Sequence, residues 1–268
     1  MHYFVFLQCM EVSHNEIKYV RSLQQKKFRE EFGVFVVEGE KMVQEALESG
    51  FEVEKVYRRE EVGEKAMERL SAMSTPSPVV AVVKMPEWSL ASAAGEHGAA
   101  GQGQAKGLCL ALDSVRDPGN LGTILRIADW FGIDCIFASP DSADVFNPKV
   151  VQASMGAIFR KKLIYCDLSS LCESWASSGK KVFGTFLEGA DIYAENLPSE
   201  GLIIMGNEAN GISPEVAAKV TDRITIPSFC GGAESLNVAV ATAVTVSEFR
   251  RRHGGVGGQK QAPLKHSK

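Results

Sequence analysis

From Leu108 onward the chain alternates short apolar runs with helical stretches, and that alternation limits its fold more than any other feature. Strands are expected at 108–112, 134–138, 162–166, 181–186, 201–205 and 223–226. Helices are expected at 120–131, 148–156, 168–178, 214–220 and 236–251. Strands that alternate with helices build a mostly parallel sheet covered on both faces. In such open sheets a ligand lies beyond the carboxyl ends of the strands, so the loops there are where chemistry is sought.

Residues 11–90 read as a smaller α/β unit ahead of this one. Ser13 to Phe32 is polar and helical in pattern, with Ser13 as N-cap and Glu16 three residues on. Short strands follow at 35–37, 53–57 and 79–83, with helices at 40–49, ended by Gly50, and at 60–71. The stretch 91–106 is Gly-, Ala- and Gln-rich with almost nothing to bury, and reads as a flexible linker. The second domain then runs over 107–252, and the Gly- and Lys-rich tail 253–268 reads as disordered. Residues 1–9 are apolar without a basic flank or a small-residue cleavage site. They are read as a poorly ordered extension or an over-called start, not a signal peptide.

A length of 268 residues admits one or two domains, and 45% hydrophobic with 23% charged residues is ordinary for a globular protein. The formal net charge of −4 gives no overall attraction to nucleic acid, although a local basic patch still binds phosphate. Candidate RNA contacts are Lys18, Arg21, Lys26, Lys27 and Arg29, with Arg160-Lys161-Lys162 as a second patch. A solvated helix face and a strand start explain the same charges equally well. Six cysteines occur without a C-x-x-C pair, mostly in apolar stretches. They read as small reduced core residues, which implies a reducing, cytoplasmic setting. No apolar run approaches the roughly 18 residues a membrane span needs.

Three loops carry candidate chemistry. Asp113 to Arg126 follows the first strand of the second domain; Asn120 can cap the next helix, whose free N–H groups could hold an anion. Gly206-Asn207-Glu208-Ala209-Asn210-Gly211 follows strand 201–205, and its glycines permit close backbone approach. Ile226 to Val238 is a long Gly-containing loop that leads into a helix of small residues. Taken singly, each is also an ordinary turn, cap or packing feature. The five histidines stand at 2, 14, 97, 253 and 266, so the second domain has no histidine base, Ser-His-Asp triad or histidine-ligated zinc site. It has no G-x-G-x-x-G after its first strand and no P-loop.

Together the loops resemble the SpoU (TrmH-type) RNA methyltransferases of the SPOUT superfamily. Asn120, Gly122 and Arg126 match the family's first motif, N-x-G-x-x-x-R. Gly206, Asn207-Glu208 and Gly211 match the second, and Ser235-Leu236-Asn237-Val238 the third. The segment Phe35 to Lys41 is similar to the small, ribosomal-protein-like substrate-binding domain that many members carry. One departure is Cys230-Gly231-Gly232, a loop one residue longer than usual.

The resemblance implies a parallel-sheet SPOUT domain with a deep trefoil knot, an exception to the rule against threaded chains. It implies an S-adenosylmethionine site that includes Thr185, Gly206, Asn207, Gly211, Ile226 and Leu236, and a homodimer with no metal. It implies methyl transfer to a ribose 2′-hydroxyl of ribosomal RNA, with transfer RNA or a catalytically silent RNA-binding assembly factor as alternatives. Asn120, Arg126, Glu208, Ser235 and Asn237 map onto the catalytic and substrate-positioning residues. Arg126 would stabilise the developing alkoxide and grip a phosphate, since a guanidinium is a poor base. Ser235 and Asn237 would hold Arg126 or the ribose, and Glu208 would orient Asn120.

If Lys26 and Lys27 neutralise RNA phosphates, Lys26→Ala/Lys27→Ala flattens the plot of log binding constant against log salt. The slope drops by roughly 0.7–0.9 for each phosphate that is no longer neutralised. An unchanged slope removes this helix face from the RNA path.

Overall fold

The structure, a computed structural model, describes residues 11–90, 107–230 and 235–252. The linker 91–106, the tail 253–268, residues 1–10 and positions 231–234 of the long loop lie outside the described residues.

The N-terminal unit opens with α1 (His14–Ser22), started by the expected capping box: Glu16 N–H donates to Ser13 Oγ at 3.2 Å and Ser13 N–H to Glu16 Oε2 at 3.0 Å. The single helix expected over 13–32 is two, because the chain breaks at Leu23–Gln25 and restarts as α2 (Lys26–Phe32). Leu23 is fully buried at the break, and Arg29 donates to its carbonyl at 2.7 Å. The free helix end thus finds a partner in a side chain one turn into the next helix.

Then come β1 (Val34–Glu38), α3 (Glu40–Glu48), β2 (Val53–Arg58), α4 (Arg59–Val62), α5 (Glu64–Leu70) and β3 (Val79–Lys84). Gly63, at φ +81°, splits the helix expected over 60–71. β3 lies between β1 and β2, antiparallel to both. Val34, Val36, Val80 and Val82 pack against Ile17, Val20, Met67 and Leu70 of the unit's own helices. The alternate residues Phe35, Val37, Ala81 and Val83 share one core with Phe146, Val150, Val151 and Phe159 of the second unit. The two-residue period of a strand therefore assigns one sheet face to each neighbour.

The second unit contains β4 (Leu108–Leu112), α6 (Pro118–Trp130), β5 (Ile136–Ala138), α7 (Pro148–Ser154), a 3-10 turn (Ala157–Phe159), β6 (Leu163–Tyr165) and α8 (Leu168–Ser177). It continues with β7 (Val182–Asp191), β8 (Gly201–Met205), α9 (Pro214–Ala217), β9 (Asp222–Thr225) and α10 (Val238–Arg252). The strands form a parallel sheet in the order β6-β5-β4-β8-β7-β9. β4 and β8 are buried along their whole length, as an internal parallel strand covered on two faces should be. β7 runs past its expected end at 186 because its outer half, Ala190–Asp191, pairs again with β9 after an irregularity.

Cys109, Cys135 and Cys172 are buried, and burial pushes each thiol up to about 12, so they behave as small apolar residues. Cys230 departs from the core reading because it is exposed. No helix among the described residues is long and apolar enough to cross a membrane.

Aromatic rings join the units. Phe35 and Phe146 have centroids 4.8 Å apart, Phe51 and Phe159 5.3 Å, Trp88 and Phe146 5.5 Å. Ion pairs flank them: Arg29 Nη2 meets Asp144 Oδ2 at 2.5 Å, and Arg160 meets Glu45 at 2.5 Å and Asp129 at 2.8 Å. Arg29 is only 2% exposed, so it cannot reach RNA, contrary to the expectation from sequence. Its charge is spent on Asp144 and the Leu23 carbonyl. The second basic patch is consumed in a similar way, since Arg160 is doubly paired and Lys161 donates to the Ile133 carbonyl at 2.9 Å.

Removing one partner of a buried ion pair leaves the other charge uncompensated. Asp144→Ala is expected to lower unfolding stability by about 3 kcal/mol, read as a lower urea midpoint. An unchanged midpoint would show that the aromatic contact alone holds the units together.

Candidate active site

Three loops meet at the carboxyl end of the parallel sheet. β4 ends in Asp113, 4% exposed, whose Oδ2 accepts from Ser213 N–H at 2.7 Å and so ties the loop after β8 to β4. The next turn leads into α6. Here the expectation from sequence is corrected: the N-cap is Asp117, whose Oδ1 accepts from Asn120 N–H at 2.8 Å, with Pro118 in the first turn. Asn120 therefore sits inside the helix, and its side chain is released from capping.

That side chain links the three loops. Asn120 Nδ2 donates to Glu208 Oε1 at 2.5 Å, and Asn120 Oδ1 accepts from Asn237 Nδ2 at 3.0 Å. Asn237 Oδ1 in turn accepts from Ala239 N–H at 3.0 Å and Val240 N–H at 3.3 Å, capping α10. An amide has separate donor and acceptor ends, so the line runs one way, from Asn237 through Asn120 to the carboxylate of Glu208. The expected orientation of Asn120 by Glu208 is present. The expected pairing of Asn237 with Arg126 is not, because the Asn237 amide is used by Asn120 and by the cap. Arg126 and Ser235 are exposed, and neither has a side-chain partner among the described residues.

Several motif residues shape the loops. A Cβ on Gly122 would lie 2.5 Å from Ala153 Cβ and 2.7 Å from the Val150 carbonyl, so this glycine lets α6 touch α7. A Cβ on Gly206 would lie 2.3 Å from the Gly211 carbonyl carbon. Gly206 is thus required by the tight loop closed by the Asn207–Gly211 backbone pair, at 2.9 and 2.8 Å. Asn207 Oδ1 accepts from Ala209 N–H at 2.9 Å and Asn210 N–H at 3.2 Å, and its Nδ2 donates to the Ser114 carbonyl at 2.8 Å. Both ends of its side-chain amide are thus engaged within the protein. Thr185 Oγ1 donates to the Ile204 carbonyl at 2.9 Å, which pins β7 to β8.

Sequence reasoning missed the loop after β5. Ser139 Oγ accepts from Ser114 N–H at 2.8 Å, and Asp141 accepts from the Ser139 and Ser114 hydroxyls, both at 2.7 Å, and from Arg116 at 2.6 Å. These donors, the Arg116 guanidinium first, hold the Asp141 carboxyl well below the usual carboxylate range. Ser139-Pro140-Asp141-Ser142 is a turn-forming cluster directly after a strand, and that was the available signal.

Apolar side chains are also exposed on this part of the domain. Leu187 in β7 and Phe229 and Leu236 on the loop after β9 are exposed, at 77%, 92% and 48%. Apolar side chains this open offer faces on which a base can lie. Ile226 is half-buried against the core behind them. Histidine is absent from 107–252, and no group of residues suited to hold a metal occurs among the described residues.

The chain is similar in sequence and fold to known proteins. The SpoU rRNA Methylase family model matches residues 107–247, and the MRM3-like substrate binding domain model matches residues 14–83. The 23S rRNA (guanosine(2553)-2′-O)-methyltransferase RlmP of Bacillus subtilis is 32% identical over 259 residues, 91% of this chain and 99% of the relative. A TrmH-family protein from Porphyromonas gingivalis superposes with a TM-score of 0.79 at 39% identity, over 91% of this chain and all of that one. An rRNA methyltransferase from Sinorhizobium meliloti with bound AdoMet gives 0.78 at 30% identity, over 92% and 99%. The family model covers more than half of the chain and RlmP aligns along nine-tenths of it. The chain therefore belongs to the SpoU family of S-adenosylmethionine-dependent RNA methyltransferases of the SPOUT superfamily, with an MRM3-like substrate-binding domain ahead of the catalytic one.

Proposed function

We propose that the chain methylates a ribose 2′-hydroxyl of ribosomal RNA at the mouth where Asn237, Asn120 and Glu208 form their hydrogen-bonded line. That line carries the reading, because it brings together all three motif loops at the start of α6, the helix that also presents the exposed Arg126. S-adenosylmethionine, when bound, supplies an electrophilic methyl group. The loops at Thr185, Gly206 to Gly211 and Ile226 to Leu236 are assigned to hold it. Asn207, Gly206 and Gly211 act by shaping the loop, and Leu236 with its exposed neighbours by covering the base.

Arg126 stays charged at any working pH. Its role is to stabilise negative charge as the 2′-oxygen gives up its proton to solvent water, and to fix the adjacent phosphate through two parallel hydrogen bonds. Glu208 holds the Asn120 amide in one orientation, so that the ribose meets a fixed donor and acceptor. Ser235, exposed and two residues before the Asn237 cap, is assigned to the ribose. Lys18, Arg21, Lys26 and Lys27 are assigned to RNA phosphates; Lys26 is lightly held by Glu30 at 3.5 Å.

The knot belongs to the same reading. β9 is the sheet edge, yet Asn237 reaches Asn120 beyond the end of β4, three strands away. A homodimer in the cytoplasm, and a linker role for 91–106, are part of the proposal. Trp130 on α6, 84% exposed, and Val240 on α10, 50% exposed, mark two helices that pack together and leave apolar surface open.

Purified protein is incubated with tritiated S-adenosylmethionine and total RNA from cells lacking the gene. Label is expected in RNA of ribosomal size and in a 2′-O-methylated nucleoside after digestion. Arg126→Ala is expected to lower turnover by about a hundredfold or more. Arg126→Lys keeps the charge but not the fork, and is expected to lose at least about tenfold. Absence of label together with absence of cofactor binding in calorimetry would overturn the proposal. Label in transfer RNA alone would move the substrate while keeping the chemistry.

A further inference from the structure

We propose that Asp141, in the loop between β5 and α7, is a positioning residue for methyl transfer: it holds Ser114 in a left-handed turn from which the Glu208 loop is placed. This rests on the methyltransferase reading above.

Ser114 has φ +57°, and only Met155 shares a positive φ among the described non-glycine residues. A side chain makes this region unfavourable, so something must hold Ser114 there. Asp141 does so through the Ser114 hydroxyl at 2.7 Å, and Ser139, itself bonded to Asp141 at 2.7 Å, takes the Ser114 N–H at 2.8 Å. Arg116, two residues on, donates to the same carboxylate at 2.6 Å. The turn therefore closes around Asp141 from both sides of Val115, whose own N–H is taken by Ser142 Oγ at 3.2 Å.

The consequence lies on the far side of Ser114. Its carbonyl accepts from Asn207 Nδ2 at 2.8 Å. The Asn207 side-chain oxygen organises the Ala209 and Asn210 amides, and the residue between them and Asn207 is Glu208, which takes the Asn120 amide at 2.5 Å. If Ser114 leaves the left-handed region, its carbonyl turns away from Asn207, and the Glu208 loop keeps its Ser213 end tied to Asp113 but loses the tether at its Asn207 end. Asp141 touches no motif side chain, so its effect on turnover has to pass through Ser114. The loop that carries it is itself anchored: Asp144 by Arg29 at 2.5 Å, and Ala143 and Val145 by the Tyr165 hydroxyl at 2.5 and 2.8 Å.

The test compares wild type, Asp141→Ala, and Asp141→Ala/Ser114→Gly in the tritium assay, with amide hydrogen exchange on the same proteins. Glycine occupies the left-handed region without penalty, so the double variant no longer needs the carboxylate. For Asp141→Ala the expected kcat is about tenfold lower with KM for RNA within about twofold, a loss of transition-state stabilisation alone. Exchange at 206–211 is expected to accelerate while exchange across β4 and β8 stays unchanged. The double variant is expected to recover kcat to within about threefold of wild type. An Asp141→Ala enzyme with wild-type kcat and wild-type exchange at 206–211 would overturn the inference. So would a loss of kcat that follows a lowered melting temperature and is not relieved by Ser114→Gly. Should wild type itself transfer no methyl group, the function reading fails, and the exchange result still decides whether Asp141 places the loop.

Discussion

The Asn120 amide is where the second domain becomes a site. It accepts from Asn237 and donates to Glu208, and so joins three loops whose residues stand 117 and 88 positions away in the chain. Each loop alone is a short polar turn of the kind found in many proteins. Their meeting depends on β4 and β8 being neighbours at the middle of the sheet, and on Asn237, just ahead of α10, reaching the start of α6. The amide has two different ends, so its orientation is set by a carboxylate on one side and a donor on the other. Reversal would place like groups together.

The docking of the two domains follows from strand geometry. One face of the small antiparallel sheet packs on its own helices, and the other completes the core around Phe146 and Phe159. An aromatic cluster supplies the contact, and buried or half-buried ion pairs at its edge set the angle. The substrate-binding unit is thereby held at a fixed place relative to the catalytic mouth. Basic residues that would otherwise serve RNA are consumed in this: Arg29 and Arg160 hold protein together, which leaves a protein of net charge −4 with a short cationic face on α1 and α2.

The glycines of the motifs separate into two kinds. Gly122 and Gly206 are required by close approach within the protein, helix to helix and loop to loop. Gly211, at φ +66°, is required by its backbone. None of the three needs a ligand to explain it, yet together they bring polar loops close enough for Asn120, Glu208 and Asn237 to meet. Packing and chemistry are served by the same residues here.

The sequence by itself determined the sheet, because internal parallel strands buried on two faces read as unbroken apolar runs, as Leu108–Leu112 and Gly201–Met205 do. It also marked the capping box at Ser13 and the motif loops, whose signals are local. The start of α6 is misread at Asn120, although Asp117-Pro118, a capping aspartate before a proline, is a local signal for it. Only the tertiary structure decided that α1 and α2 are separate, that Arg29 is a buried partner of Asp144, and that the loop after β5 holds Ser114. The reason is the same in each case. The ion pair of Arg29 and the left-handed backbone at Ser114 are set by partners 25 to 115 positions away, and the break after α1 by the burial of Leu23, so no local pattern carries that information.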